Sequence, residues 1–391
     1  MPKQTEKKRL LWLGDAVCSS GFATVTHGIL EELKKTWDIS VIGINYYGDP
    51  HTYDYKIYPA RPNETYDIYG VKRAAEIIPL LKPDIICAVN DPWILKEFAP
   101  ILDKSGVPYV FYTLADAVYL QSKFVTPLNN AKHIIAYTSF AETQLKNAGL
   151  TVPITVIPHG VDTELFKKKP KSAARKEFNL ADDLYIVGAI NRNQPRKRLD
   201  LTFRYFAEWV KNKPENIKLY YHGALKDMGW DILDLAAMFG ITDRLIITHP
   251  QLSTQHGIPK KMLPYVYSTF DVQVSTTLGE GFGLTTAEGM ACCVPQIVPD
   301  YSALGDWGRK EDGTDTMHYV PCTDIAISTD CLNTIGGIVD RVGFIEALER
   351  LYTDTRYREE LAERGNTHVR HKRFNWSIIA KQFDTVLTTA L

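Results

Sequence analysis

Residues 279–288 read GEGFGLTTAE, with carboxylates at Glu280 and Glu288 and glycines at 279, 281 and 283. The stretch follows an apolar β-rich run, FDVQVST, and opens a helical pattern, LTTAEGMAC. Glycine lets the backbone bend tightly and approach a ligand with no Cβ in the way. The amides of Gly283, Leu284 and Thr285 then stand in an open first turn, where free N–H groups and the helix dipole favour an anion. An ionised carboxylate accepts several hydrogen bonds. One glutamate therefore suits the hydroxyls of a sugar and the other those of a ribose. The plainer reading is a glycine turn with two surface glutamates. Against it, no other Glu pair in the chain has this spacing, and this one brackets a glycine-dense strand–helix turn.

A dinucleotide-binding loop is a further alternative, since Asp300 ends the next apolar run, about where that fold places an acid. The fingerprint fails in detail. Counted from Gly279 it needs glycine at 284, which is leucine, and from Gly281 at 286, which is threonine. The missing cations for a diphosphate stand in NRNQPRKRLDL (191–201), after the run YIVGAI. Arg192 and Lys197 are close enough on that loop for both heads to converge on one pocket and stabilise a departing charge. The plainer alternative is a solvated basic turn.

Other stretches carry weaker signals. GDAVCSSGFATVTHGI (14–29) offers Ser19, Ser20 and Gly21 as a loop on the phosphate or acceptor side before a helix starting near Thr24, or simply as a turn. YTLADAVYL places Asp116 after a buried strand, as a sugar-orienting group, a base or a helix cap. PHGVDTELF has Asp162 as a helix cap and His159 as a lesser ligand candidate. His222, His249 and His256 show no metal constellation, and HVRH (368–371) reads as a solvated helix face. No Asp-x-Asp, GxSxG or GxxxxGK[ST] occurs, so no metal site is expected and simple hydrolase or P-loop chemistry falls away.

These loops must be held by something. Six β-rich runs (9–14, 39–44, 84–89, 108–113, 133–138, 154–158) alternate with helical patterns such as 26–37 and 69–82. The alternation restarts at 185–190, 217–223, 244–249, 270–276 and 295–299, after a basic linker and short helix at 167–180. Buried strands alternating with helices imply parallel sheets. The expectation is α/β: two Rossmann-like, doubly wound parallel-sheet domains facing a central cleft. In such sheets ligands sit beyond the C-terminal strand ends, where all the loops above lie. The 391 residues carry a formal net charge of −1, so nothing in the total argues for nucleic acid or an anionic membrane. The six cysteines (18, 87, 292, 293, 322, 331) form no CxxC pair, which points to a reduced, cytoplasmic setting. The apolar run LLWLG is too short for a signal core.

On these residues the chain resembles the retaining glycosyltransferases of family 4, of GT-B architecture, over nearly its full length. EGFGLTTAE is similar to that family's Glu-x7-Glu element. Arg192 and Lys197 are similar to its R-x4-K, with Arg198 where glycine is usual. PHGVDTELF is similar to its P-N-G-V-D-x-x-x-F, and FNWSIIAKQFDTVL (374–387) to its last helix. The resemblance implies metal-independent transfer of a sugar from a nucleotide diphosphate sugar, UDP- or GDP-linked, to an acceptor hydroxyl. It implies that Arg192 and Lys197 hold the diphosphate and that Glu280 with the backbone of Phe282, Gly283, Leu284 and Thr285 holds sugar and phosphate. Glu288 would hold the ribose, Gly21 would lie near the phosphates, and Asp116 would serve the reacting centre. It also implies an acceptor-side domain over 1–168, a donor-binding domain over 169–373, and a final helix, 374–391, packing back on the first. The family often has histidine where Ala115 stands, so that contact to the donor sugar is absent. A nucleotide-sugar epimerase and a sugar-nucleotide-binding pseudoenzyme are the alternatives. The acceptor stays open among glycan, lipid, small molecule and, as in phage-encoded relatives with a similar start, a modified DNA base. Peripheral membrane contact has no basic amphipathic patch behind it, so a soluble acceptor is slightly favoured.

Overall fold

The apolar runs LLWLG, IICAV and YVFYT are buried along their lengths, as strands of a parallel sheet covered on both faces must be. The computed structural model describes residues 7–61, 67–253, 257–328 and 334–391; His256 and Cys331 lie outside the described residues. These residues form two compact units. The first is made chiefly of the chain up to Gly160 and Arg373–Leu391, the second of Val161–Ser328 and Ile335–Lys372.

In the first unit the strands are β1 (Arg9–Asp15), β2 (Asp38–Ile44), β3 (Lys56–Pro59), β4 (Ile85–Val89), β5 (Tyr109–Thr113), β6 (His133–Ala136) and β7 (Ile154–Val156). They form one parallel sheet in the order β3-β2-β1-β4-β5-β6-β7. β3 has no counterpart in the sequence reading because it is a four-residue edge strand, KIYP, closed by a proline. The helix Gly21–Leu33 starts earlier than Thr24. Ser20 caps it, with Oγ accepting from the Ala23 N–H at 3.0 Å. Gly21 is thus the first helical residue rather than part of a loop.

The final helix, Trp376–Ala390, packs in this unit through Trp376. A Cβ on Gly28 would lie 2.6 Å from that indole and one on Gly160 2.4 Å, so both glycines are there to let the ring in. Trp37 Nε1 donates to Asp384 at 2.6 Å and fixes the far end of the helix.

The second unit holds β8 (Tyr185–Ile190), β9 (Ile217–His222), β10 (Leu245–Ile247), β11 (Val272–Val274), β12 (Gln296–Pro299) and β13 (His318–Val320). Their order is β10-β9-β8-β11-β12-β13, again parallel. An antiparallel strand pair, β14 (Cys322–Ile327) and β15 (Ile335–Val339), was not legible from the sequence, nor was β13. The unit begins earlier than residue 169. Asp162 closes a turn instead of capping a helix, Phe166 packs edge-on against Tyr267, and the Lys169 N–H donates to Ser268 Oγ. Arg175, in the short helix Lys171–Glu177, is buried on Asp271 at 3.0 Å.

Strand order reverses direction between β8 and β11, neighbours in space but far apart in sequence. Loops leaving their C-terminal ends part there and leave a crevice.

Candidate active site

The two loops at this switch point are the two that carry the charged motifs, residues 191–198 after β8 and 275–283 after β11. Pro195–Lys197 forms a single 3₁₀ turn closed by Arg198 at φ 48° and ψ 46°. That left-handed backbone is one glycine adopts without strain; the Arg198 guanidinium pairs with Asp200 at 2.8 Å.

The turn brings Lys197 onto the second loop. Its Nζ donates to Glu280 Oε1 at 2.5 Å, and both side chains are buried. Arg196 adds a second cation, with Nη1 at 3.5 Å from Glu280 Oε2 and also donating to the Gly279 carbonyl. Burial alone would push the Glu280 carboxyl up, but Lys197 and Arg196 outweigh it and hold the group below the usual carboxylate range. From the other side Ser302 Oγ accepts the Glu280 N–H at 2.9 Å, with Ser302 at φ 50°. Strained backbone of this kind is kept where the surroundings over-determine it.

Arg192 goes elsewhere. Its Nε donates to Asp227 Oδ2 at 2.8 Å and the side chain is half exposed. The two cations read as converging therefore take different carboxylates, and the one beside Lys197 is its sequence neighbour Arg196. The triplet RKR signalled charge, but only the 3₁₀ turn shows which members face Glu280.

Beyond Glu280 the backbone is pinned. Trp307 stacks on Phe282 with centroids 4.8 Å apart at 11°, and its Nε1 donates to the Phe282 carbonyl at 2.6 Å. Trp307's own carbonyl meets His368 Nε2 at 2.8 Å. His368 is buried, not on a solvated face as the HVRH spacing suggested; its helix, Thr355–Val369, turns Leu361, Gly365 and His368 inward on one stripe. Gly283 follows at φ 93°, where a Cβ would also strike Leu304 at 2.7 Å. It starts the helix Leu284–Ala291, accepting the N–H groups of Thr286 and Ala287. The amides of Leu284 and Thr285 belong to that helix's first turn, the position that attracts an anion.

Glu288 lies within this helix and accepts from Tyr267 Oη at 2.8 Å. Burial pushes its carboxyl up to about 7, the Tyr267 hydrogen bond offsetting part of the rise. Hydroxyls donating to Glu288 favour its ionised form. Affinity for a ligand that donates hydroxyls to Glu288 and does not itself titrate here is accordingly expected to rise through pH 7 and level off above it. Below that point it should fall by at most about tenfold per pH unit. Dissociation constants from pH 5.5 to 8.5 check this, and Glu288→Gln should flatten the profile.

The remaining candidates lie in the first unit. Gly21 sits one residue after the Ser20 cap, whose Oγ also donates to Asp15 Oδ2 at 2.6 Å. Asp116 follows β5 in an irregular, partly buried stretch and caps no helix. Ala115 is a core position at 3% exposure. His159 is buried against Tyr112 and Tyr137, its Nδ1 at 2.7 Å from Tyr112 Oη, and burial lowers it to about 3. Asp300, the acid that suggested a dinucleotide fold, forms a two-pronged ion pair with Arg309 at 2.9 Å. Among the described residues no helix is long and apolar enough to cross a membrane.

Two doubly wound units, the second with a cation–carboxylate loop pair at its switch point, define the GT-B class of fold. The sequence model of Glycosyltransferase Family 4 matches residues 19–165, and that of Glycosyl transferases group 1 matches residues 181–330. The chain belongs to this glycosyltransferase family. Curated relatives include the D-inositol 3-phosphate glycosyltransferase of Stackebrandtia nassauensis, 29% identical over 57% of this chain and 46% of its own length. That of Nocardia farcinica is 30% identical over 48% of this chain and 41% of its own. The chain thus spans under half the length of these relatives. Among solved structures, sucrose-phosphate synthase from Thermosynechococcus elongatus superposes with a TM-score of 0.75 at 17% identity, covering 98% of this chain and 99% of that one. Anabaena HepE in complex with UDP-glucose gives 0.74 at 16%, covering 97% and 99%. Identities this low speak for the fold alone.

Proposed function

We propose that the chain is a retaining glycosyltransferase, moving a sugar from a nucleotide diphosphate sugar to an acceptor hydroxyl without a divalent metal. The observation that carries this is the buried Lys197–Glu280 pair, flanked by Arg196 and by the open helix turn after Gly283, at the switch point of the second sheet. The names of the curated relatives support glycosyl transfer, and the UDP-glucose held by HepE supports this donor class.

The bond from the sugar's anomeric carbon to the diphosphate oxygen breaks, and its electron pair leaves with the diphosphate. Lys197, Arg192 once it leaves Asp227, and the amides of Gly283, Leu284 and Thr285 hold that charge, a task a metal performs elsewhere. Phe282 is held in place by Trp307 so that these amides keep their direction. Glu280 accepts sugar hydroxyls and Glu288 the ribose hydroxyls. The acceptor oxygen then bonds the anomeric carbon on the face the diphosphate left, and the diphosphate oxygen takes its proton. The family resemblance assigns Gly21, at the start of its helix, and Asp116, after β5, to the same reaction.

The test is to incubate the protein with UDP- and GDP-sugars, acceptor pools and a chelator. Mass spectrometry should find a product heavier by one glycosyl residue, with the donor's anomeric configuration by NMR. An inverted product overturns the retaining assignment. Conversion of donor to an isomer without acceptor identifies an epimerase, and binding without turnover a pseudoenzyme.

A further inference from the structure

Lys197 has two calls on it. In the protein alone its ammonium sits on Glu280 at 2.5 Å; in the proposed reaction the same ammonium meets a diphosphate. A buried carboxylate that loses its partner is strongly disfavoured, so something must hold Glu280 when Lys197 departs. We infer that Arg196 is a positioning residue that takes over Glu280 when Lys197 turns to a bound diphosphate, keeping the carboxylate in place for the donor sugar. The inference rests on the nucleotide-sugar reading above.

Arg196 is built for this. Its Nη1 is 3.5 Å from Oε2, the oxygen opposite the one Lys197 holds, so it need not displace the ammonium to be ready. The same guanidinium nitrogen donates to the Gly279 carbonyl, which Thr277 Oγ1 also reaches at 2.9 Å. The Arg196 carbonyl in turn accepts the Leu278 N–H at 2.9 Å. Side chain and backbone are thereby tied to the loop that carries Glu280, and the two move as one piece. The contrast with lysine is chemical. A guanidinium fork serves a carbonyl and a carboxylate at once, while an ammonium on a four-carbon stem can swing between acceptors. Lys197 and Arg196 are the charged groups bearing on Glu280, both from the turn after β8. Ser302, which accepts the Glu280 backbone N–H, is neutral.

Two sets of measurements test the hand-over. Without ligand, thermal unfolding of Arg196→Met, Lys197→Met and the double variant should show the double variant losing more than the two singles together. Either cation alone keeps the carboxylate paired, but neither does in the double variant. That excess should shrink from pH 8 to pH 5 as Glu280 takes up a proton, which a purely steric role would not produce. Additive losses, independent of pH, overturn the pairing.

With ligand, calorimetric titration of UDP and GDP at pH 8 should show Arg196→Met weakening the nucleotide by about tenfold, because Lys197 stays on Glu280. Adding Glu280→Gln to that variant should return affinity to within about threefold of Glu280→Gln alone, since no carboxylate then competes for the ammonium. Unchanged affinity in Arg196→Met overturns the inference. So does a loss that Glu280→Gln fails to rescue, which would put Arg196 on the phosphate itself. If the wild-type protein binds neither UDP nor GDP, the nucleotide reading falls and the hand-over with it, while the ligand-free melts still report whether Arg196 and Lys197 share Glu280.

Discussion

Replacing Lys197 by alanine is expected to lower sugar transfer by about 10²–10³-fold, the usual cost of removing one preorganised group that stabilises developing charge. The loss should appear in kcat as well as in donor KM, because the diphosphate gains charge only as the bond to sugar breaks. The folded state suffers too. Glu280 would keep Arg196 at 3.5 Å but lose the shorter contact at 2.5 Å, a change worth about 1–3 kcal/mol for a buried charged group. Arg192→Ala should cost less in stability, since that side chain is half exposed on Asp227. Steady-state kinetics and thermal unfolding on the two variants separate these effects. Equal and negligible changes in both would remove the diphosphate from this loop.

The second large effect is expected at Trp307. Its indole is buried, stacks on Phe282, donates to the Phe282 carbonyl and lies beside His368. Trp307→Ala removes all of this and should destabilise the second unit by about 3–5 kcal/mol. Without the donated hydrogen bond the backbone leading into Gly283 is no longer held, so donor affinity should fall even at temperatures where the variant is folded. Trp307→Phe keeps the stacked ring but not the N–H, and should recover most of the stability and little of the affinity. Full affinity in the phenylalanine variant would show that the backbone at Phe282 needs no such support.

Most strands of both sheets were legible because strands buried on both faces need long apolar runs, and all ten donor-side and catalytic candidates lie on loops at the ends of such runs or on the helices they open. Glu280, Gly283 and Glu288 were readable as a set because glycine density and carboxylate spacing are local features. What stayed hidden was tertiary. KIYP is too short to announce β3, and β13 to β15 carry no continuous apolar run. Gly21 looked like a loop residue because the Ser20 cap, which starts the helix early, depends on a hydrogen bond rather than on hydrophobic period. Arg196 stands in a run of three cations, yet which of them meets Glu280 follows from a 3₁₀ turn and a left-handed Arg198. His368 pairs with a carbonyl 61 residues away in the chain, and no local pattern encodes that.

Calorimetric titration of the wild-type protein and of Lys197→Ala with UDP and with GDP bears most directly on the donor site. The wild-type protein is expected to bind at least one of them at one site, and the variant to bind it at least about tenfold more weakly. Binding of neither nucleotide by the wild-type protein, or binding that Lys197→Ala leaves untouched, would contradict the assignment of Lys197 and Glu280 to a nucleotide-sugar site.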